Sequence, residues 1–195
     1  MKKPLLFLSL LLMAIAINAC TSFVKKNNQA MMGTETDNQY AKKLWSVMEK
    51  EKLVGVQAKP LKPFFGGAKP HGMILEIANQ TLNINGHTGF LVVKKNYGGK
   101  GVSVESVKKN RSKYLSSITV MYQRKAGYDV DNQDWFWVKY QPNGQFYYKN
   151  INQVKTALTG RVIKGKTDDD ARGCIYCHRS AGGGDYIFYP EILKP

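Results

Sequence analysis

The chain is poor in cysteine, with three in 195 residues: Cys20, Cys174 and Cys177. Three thiols cannot supply a disulfide framework, nor the second ligand pair that a cysteine zinc site requires. Acidic residues are also few, 14 Asp and Glu against 29 Lys and Arg, for a net charge of +15. No internal repeat and no phosphate-binding glycine signature occurs, which sets aside solenoids and the common nucleotide folds. One long apolar run exists, residues 4–17, with Ser9 its only polar member. It falls short of the ~20 residues that a membrane span needs. The last methionine is Met121, so none follows in the C-terminal third.

That apolar run is preceded by Lys2 and Lys3 and followed by Asn18-Ala19-Cys20. A basic start, an apolar stretch and small residues at the cut form an export signal. Ile17-Asn18-Ala19-Cys20 is similar to the lipobox of bacterial lipoproteins, with Ile and Asn departing from the usual Leu and small residue. Residues 1–19 are therefore expected to be a signal peptide and Cys20 a lipid-modified anchor. The alternative is an ordinary secretory signal with Cys20 incidental. Residues 20–36, rich in Ser, Thr, Asn, Gln and Lys, are expected to tether a single domain over 37–195. The expected location is the bacterial envelope, facing the periplasm and touching membrane only through the anchor. In a Gram-negative cell Thr21 after the cysteine favours the outer membrane. Export also argues against nucleic acid as the partner that the basic charge would otherwise suggest.

Cys174-Ile175-Tyr176-Cys177-His178 carries the most specific chemistry. C-x-x-C-H is the attachment signature of a c-type haem. The thiols of Cys174 and Cys177 add across the haem vinyl groups as thioethers, and His178 offers an imidazole nitrogen to the iron. A redox dithiol would instead sit between strand and helix of a βαβ unit, and no such unit is evident. One covalent haem c is the expected cofactor, with Cys174, Cys177 and His178 binding it and His178 the metal ligand. A sixth ligand would have to come from upstream, from His71, His87, Met73 or Met121. Isolated residues of these types are more often structural, so an open or weakly held sixth position is expected.

Periodicity predicts an α+β domain, mainly antiparallel sheet with a few flanking helices. Tyr40, Ala41, Leu44, Trp45 and Met48 recur at helical spacing, in a helix over 37–52 capped by Asp37. Residues 59–70, with three prolines and two glycines, predict a loop. Strands are expected at 73–78, 82–84, 90–93, 118–123 and 135–140. Pro142-Asn143-Gly144 predicts a hairpin pairing 135–140 with 145–148. Residues 103–114 have a weak helical pattern, and 152–158 predict a short helix.

Several segments resemble the cytochrome P-460 family. They are Thr119–Asp129 followed by Asp134-Trp135-Phe136-Trp137-Val138, the haem motif followed by Asp185-Tyr186-Ile187-Phe188, and His71-Gly72 with Asn79 beyond. The resemblance spans most of 37–195. It implies a mainly antiparallel β fold, often dimeric, and a five-coordinate haem with His178 as proximal ligand. In the name-giving members a lysine is cross-linked to the porphyrin and hydroxylamine is oxidised. The related cytochromes c-prime-beta lack the cross-link and bind nitric oxide or carbon monoxide. Lys94, ending Phe90-Leu91-Val92-Val93-Lys94, corresponds to that lysine. Lys95 is adjacent, and on a strand the two face opposite ways, so only one could reach the haem. Both could equally be surface lysines at a strand end.

Three functions follow. The first is an oxidoreductase for hydroxylamine or a related small nitrogen compound, needing a distal base, for which Glu76 and Glu105 are candidates. The second is a binder of a diatomic gas, with an apolar pocket. The third is an electron carrier, with a strong sixth ligand. Electrons would leave to an acidic redox partner. Trp135, Phe136, Trp137, Tyr186, Phe188 and Tyr189 could pack in the core or against the porphyrin. Arg172 and Arg179 could pair with a haem propionate or stay solvated.

Overall fold

The computed structural model describes residues 32–67, 69–151, 153–161 and 174–188. The expected signal peptide, Cys20 and most of the expected tether lie outside the described residues, as do Arg172 and Tyr189.

Helix α1 spans Glu35–Lys50 and begins inside the stretch read as tether. Thr34 caps it, its backbone extended and its hydroxyl accepting the Asp37 N–H at 3.1 Å. Asp37 is therefore not the cap. It is buried in the first turn, where its carboxylate accepts from the Thr34 hydroxyl at 2.7 Å and the Tyr128 hydroxyl at 3.1 Å. The expected apolar stripe is buried at Ala41, Leu44, Trp45 and Met48.

The strands are β1 Phe64–Phe65, β2 Ile74–Ile84, β3 His87–Tyr97, β4 Leu115–Gln123, β5 Trp135–Tyr140, β6 Tyr148–Ile151, β7 Val154–Ala157 and β8 Thr159–Gly160. Six form one antiparallel sheet in the order β1-β2-β3-β4-β5-β8, and β6 with β7 makes a separate hairpin. The fold is thus mostly antiparallel sheet with a few helices, as expected. Helix α2 is Val104–Lys109 and α3 is Arg111–Tyr114, so the weak helical pattern resolves into two short helices meeting at Asn110. Helix α4, Cys174–His178, is the C-x-x-C-H segment itself.

Two expectations are corrected by strand pairing. The stretches expected at 73–78 and 82–84 fall in one strand, Ile74–Ile84, because Asn79, Gln80 and Thr81 stay in the ladder opposite Val92, Leu91 and Phe90. Paired neighbours outweigh the low strand preference of that polar triplet. The actual turn is Asn85-Gly86, both at positive φ, as a two-residue hairpin loop demands. The helix expected over 152–158 is strand β7. Gln153, at φ +66°, turns the chain back on β6, and cross-strand pairing prevails over a weak helical signal. The hairpin after Tyr140 holds only in part: Tyr140 bridges Phe146, and from Tyr148 the chain leaves to pair with β7.

Each face of the large sheet has its own cover. Leu82, Ile84, Leu91, Val93, Val120, Tyr122, Phe136, Val138 and Tyr140 pack with α1. On the opposite face Val92, Met121, Trp135 and Trp137 pack with Ile175 of α4 and with Ile187. A fully buried aliphatic or aromatic side chain contributes ~1.5–3 kcal/mol, so the second cluster fixes the C-terminal segment to the sheet. The first core also relies on the Pro142-Asn143-Gly144 turn. Gly144 has φ +85°, and a Cβ there would lie 2.5 Å from the Trp45 ring. Gly144→Ala should lower the urea midpoint by an amount equivalent to about 1–3 kcal/mol. An unchanged midpoint would show that the turn is not seated on Trp45.

Candidate functional site

The alternation of β3 decides which lysine can act at the motif. Phe90, Val92, Lys94 and Asn96 point to the α4 side, and Leu91, Val93 and Lys95 to the α1 side. Across the sheet Lys94 stands opposite Thr119, and Thr119 opposite Lys139. Val92 stands opposite Met121, and Met121 opposite Trp137. The α4 face is therefore apolar at Phe90, Val92, Met121 and Trp137, with amines at one end. Burial lowers the pKa of Lys94, and Cys174 is close enough to oppose that shift. Lys139 behaves in the same way. Lys95 is tied on the other face, its ammonium donating to the Lys59 carbonyl at 3.2 Å and lying 3.9 Å from Glu76.

The motif reaches this face because Ile175 is fully buried in the second cluster. Cys174 and Cys177 are free thiols with accessible edges. Crowding by protein atoms still raises the Cys174 pKa, while Lys139 and Lys94 lower it. His178 is buried, its ring 5.0 Å from Trp137, 5.4 Å from Phe188 and 6.3 Å from His71. Its Nδ1 lies 2.6 Å from the Tyr186 carbonyl oxygen. A carbonyl only accepts, so Nδ1 carries the proton and Nε2 keeps its lone pair, the arrangement a metal-binding imidazole needs. Gly183 and Gly184, both at positive φ, double the chain back to bring Tyr186 there. The Gln133 amide donates to the Gly184 carbonyl, and Arg179 donates to the Asp131 carbonyl and the Asn132 side chain. Arg179 is thus engaged with the short 3-10 turn Val130–Asn132.

His71 joins the same place from the loop before β2. Its Nδ1 is 3.1 Å from the Asn96 side-chain oxygen, while the Asn96 amide nitrogen donates to Thr119. Burial is the main reason its pKa falls to about 4, and Lys94 adds to the effect. His178 is lowered by burial as well. Both imidazoles are neutral near pH 7.

The other proposed ligands and bases lie elsewhere. His87 is at the far end of β3, facing Gln123 and Tyr122. Met73 is exposed, and Met121 packs within the second cluster. Glu76 is fully buried on the α1 side of the sheet, held by Tyr97 and Arg111. Glu105 is exposed on α2 and paired with Lys108. Neither carboxylate reaches the motif, because β2 aims Glu76 the other way and α2 lies beyond the sheet end. Trp135 and Trp137 face α4, whereas Phe136 packs with α1. Sequence reading did not single out Lys139. Its spacing with Trp135 and Trp137, at i, i+2 and i+4 on one strand, is the signal that places the three on one face.

These residues suit a covalently held haem. No group of three or more His, Cys, Asp or Glu side chains able to hold an ion is formed among the described residues. Two thiols three residues apart stand on one side of a helical turn. Trp135 and Trp137 each bury an indole N–H with no partner among the described residues, a condition that costs ~1–3 kcal/mol per donor unless an acceptor is bound. Two open pockets, of about 450 Å³ beside His87 and Arg124 and about 630 Å³ beside Trp45 and Asn143, lie away from His178. No family model, curated protein or solved structure matches the chain.

Proposed function

We propose that this chain is an exported c-type cytochrome of the P-460 type, carrying one haem on the α4 face of the sheet and oxidising hydroxylamine or a related small nitrogen compound. The observation that carries this reading is the convergence of Lys94 with Cys174 and His178 on one face, while Lys95 is turned away. Cys174 and Cys177 hold the haem, His178 ligates its iron, and Lys94 borders the ring with an amine that burial makes easier to deprotonate. When bound, the haem would supply a redox-active iron able to accept electrons from a small nitrogen substrate. Phe90, Val92 and Trp137 exclude water from that face. The excess of basic residues suits delivery of electrons to an acidic partner. Nucleic acid has no place in this reading. Membrane contact rests on a lipid at Cys20, and a homodimer agrees with the family resembled.

A second reading, binding of a diatomic gas, is favoured by the lack of Glu76 and Glu105 at the motif, since gas binding needs no base. A third, simple electron transfer, requires a strong second axial ligand.

Intact-mass analysis of the denatured protein should show the chain plus one haem. Cys174→Ala with Cys177→Ala should lose that mass completely. Haem retained by the double variant would overturn the assignment.

A further inference from the structure

Strand β5 turns a row of hydrogen-bond donors toward α4. Trp135, Trp137 and Lys139 follow one another along it at i, i+2 and i+4. Trp135 is 2% exposed and Trp137 5%, and both indole N–H groups are buried without a partner among the described residues. Their neighbours Val92, Met121, Ile175 and Ile187 are apolar and give an N–H nothing to bond. A buried donor left unpaired costs ~1–3 kcal/mol, so each calls for an acceptor. Lys139 ends the row. It is half-buried, its ammonium 5.0 Å from the Tyr147 ring centre, and no carboxylate among the described residues pairs with it. The row adjoins the C-x-x-C-H segment: Trp137 is 5.0 Å from the His178 ring, and Cys174 is close enough to Lys139 to oppose its burial shift. Across the sheet Lys94 and Lys139 flank Thr119, two strand spacings or ~10 Å apart, so the two amines can meet different parts of one ligand. Arg179, a sequence candidate for a carboxylate partner, is already engaged by the Asp131 carbonyl and Asn132.

We propose that Lys139 and the indole N–H of Trp137 together bind one propionate carboxylate of the haem, fixing which edge of the ring turns toward β5. The inference rests on the haem reading above and adds the carboxylate partner that Arg179 does not supply. Lys139 provides the counter-charge that a carboxylate in apolar surroundings requires, and Trp137 provides a directed donor. Along the strand Trp137 stands ~7 Å from Lys139 and Trp135 ~13 Å, so Trp137 is the indole that shares a carboxylate with the amine. Both Lys139 and Trp137 are positioning residues in this scheme, and Trp135 is the internal comparison.

The test uses the purified holoprotein, its haem content first established by mass. Resonance Raman spectra of the wild type should show one propionate bending band shifted to the position of a hydrogen-bonded carboxylate. Lys139→Gln and Trp137→Phe should each shift that band back, Lys139→Arg should keep it, and Trp135→Phe should match wild type. Loss of a nearby positive charge favours the oxidised iron, so Lys139→Gln should lower the midpoint potential and Lys139→Arg should restore it. A role in packing alone would change stability but neither the band nor the potential. A wild type with both propionate bands at free-carboxylate positions overturns the inference even if the variants do not fold. So does a shifted band that survives either Lys139→Gln or Trp137→Phe. Acetate, added as a free carboxylate, should leave the wild-type potential unchanged. A saturable change that Lys139→Gln abolishes would make this an open anion site and overturn the propionate assignment. In each of those outcomes the covalent haem remains, so the haem reading stands. A purified wild type lacking haem mass overturns both.

Discussion

Lys94→Ala is expected to remove hydroxylamine oxidation and to change a red-shifted haem spectrum into an ordinary c-type one, with the haem mass reduced by nothing beyond the lysine side chain. The reason lies in strand geometry. A lysine bonded to a porphyrin must present a neutral nitrogen at the ring edge. Lys94 is half-buried on the face that carries Phe90 and Val92, and burial lowers its pKa. Lys95 is the internal control. It is 5% exposed, faces the opposite side and is bound to Glu76 and the Lys59 carbonyl. Lys95→Ala should leave the spectrum untouched and lower stability instead. The two variants are therefore separated by spectroscopy and denaturation together. Identical spectra for wild type and Lys94→Ala would place any cross-link elsewhere or nowhere, and the gas-binding reading would move ahead. A spectral change in Lys95→Ala alone would reverse the facing of β3.

Glu76→Ala should be the most destabilising single change on the other face, by about 3–5 kcal/mol. The carboxylate is completely buried, accepts from Tyr97 Oη at 2.7 Å and Arg111 Nε at 2.8 Å, and faces Lys95. Arg111 extends the network to the Leu61 and Lys108 carbonyls, so Glu76 joins β2, β3, α3 and the long loop before β1. Removing it leaves the Tyr97 hydroxyl buried without its acceptor and Lys95 without its counter-ion, with only the Lys59 carbonyl to accept from it. Tyr97→Phe removes one neutral donor and should cost only about 0.5–1.5 kcal/mol. Urea denaturation of holoprotein gives both values. Haem attachment and spin state in Glu76→Ala should match wild type, since the network lies on the face away from α4. A loss below about 1 kcal/mol, or abolished turnover in a fully stable Glu76→Ala, would restore Glu76 as a functional base.

The sequence by itself determined the chemistry that is local in the chain. C-x-x-C-H places two thiols and an imidazole within five residues, and that local spacing is what the haem proposal is read from. Strand alternation around Phe90–Lys95 established that one lysine, not both, could face a ligand. The stripe from Ala41 to Met48 read correctly as one buried helix face, because helical periodicity is also local. Tertiary structure decided what depends on distant partners. Residues 79–81 and 154–157 are strands because β3 and β6 supply their hydrogen bonds, which no local preference reveals. Glu76 is structural because Arg111, far along the chain, folds back onto it. The identity of the facing lysine and the meeting of His71 with His178 follow from which side of the sheet Ile175 and Ile187 cover. Burial of those apolar groups selects the face, and the polar residues already on it become the candidate site.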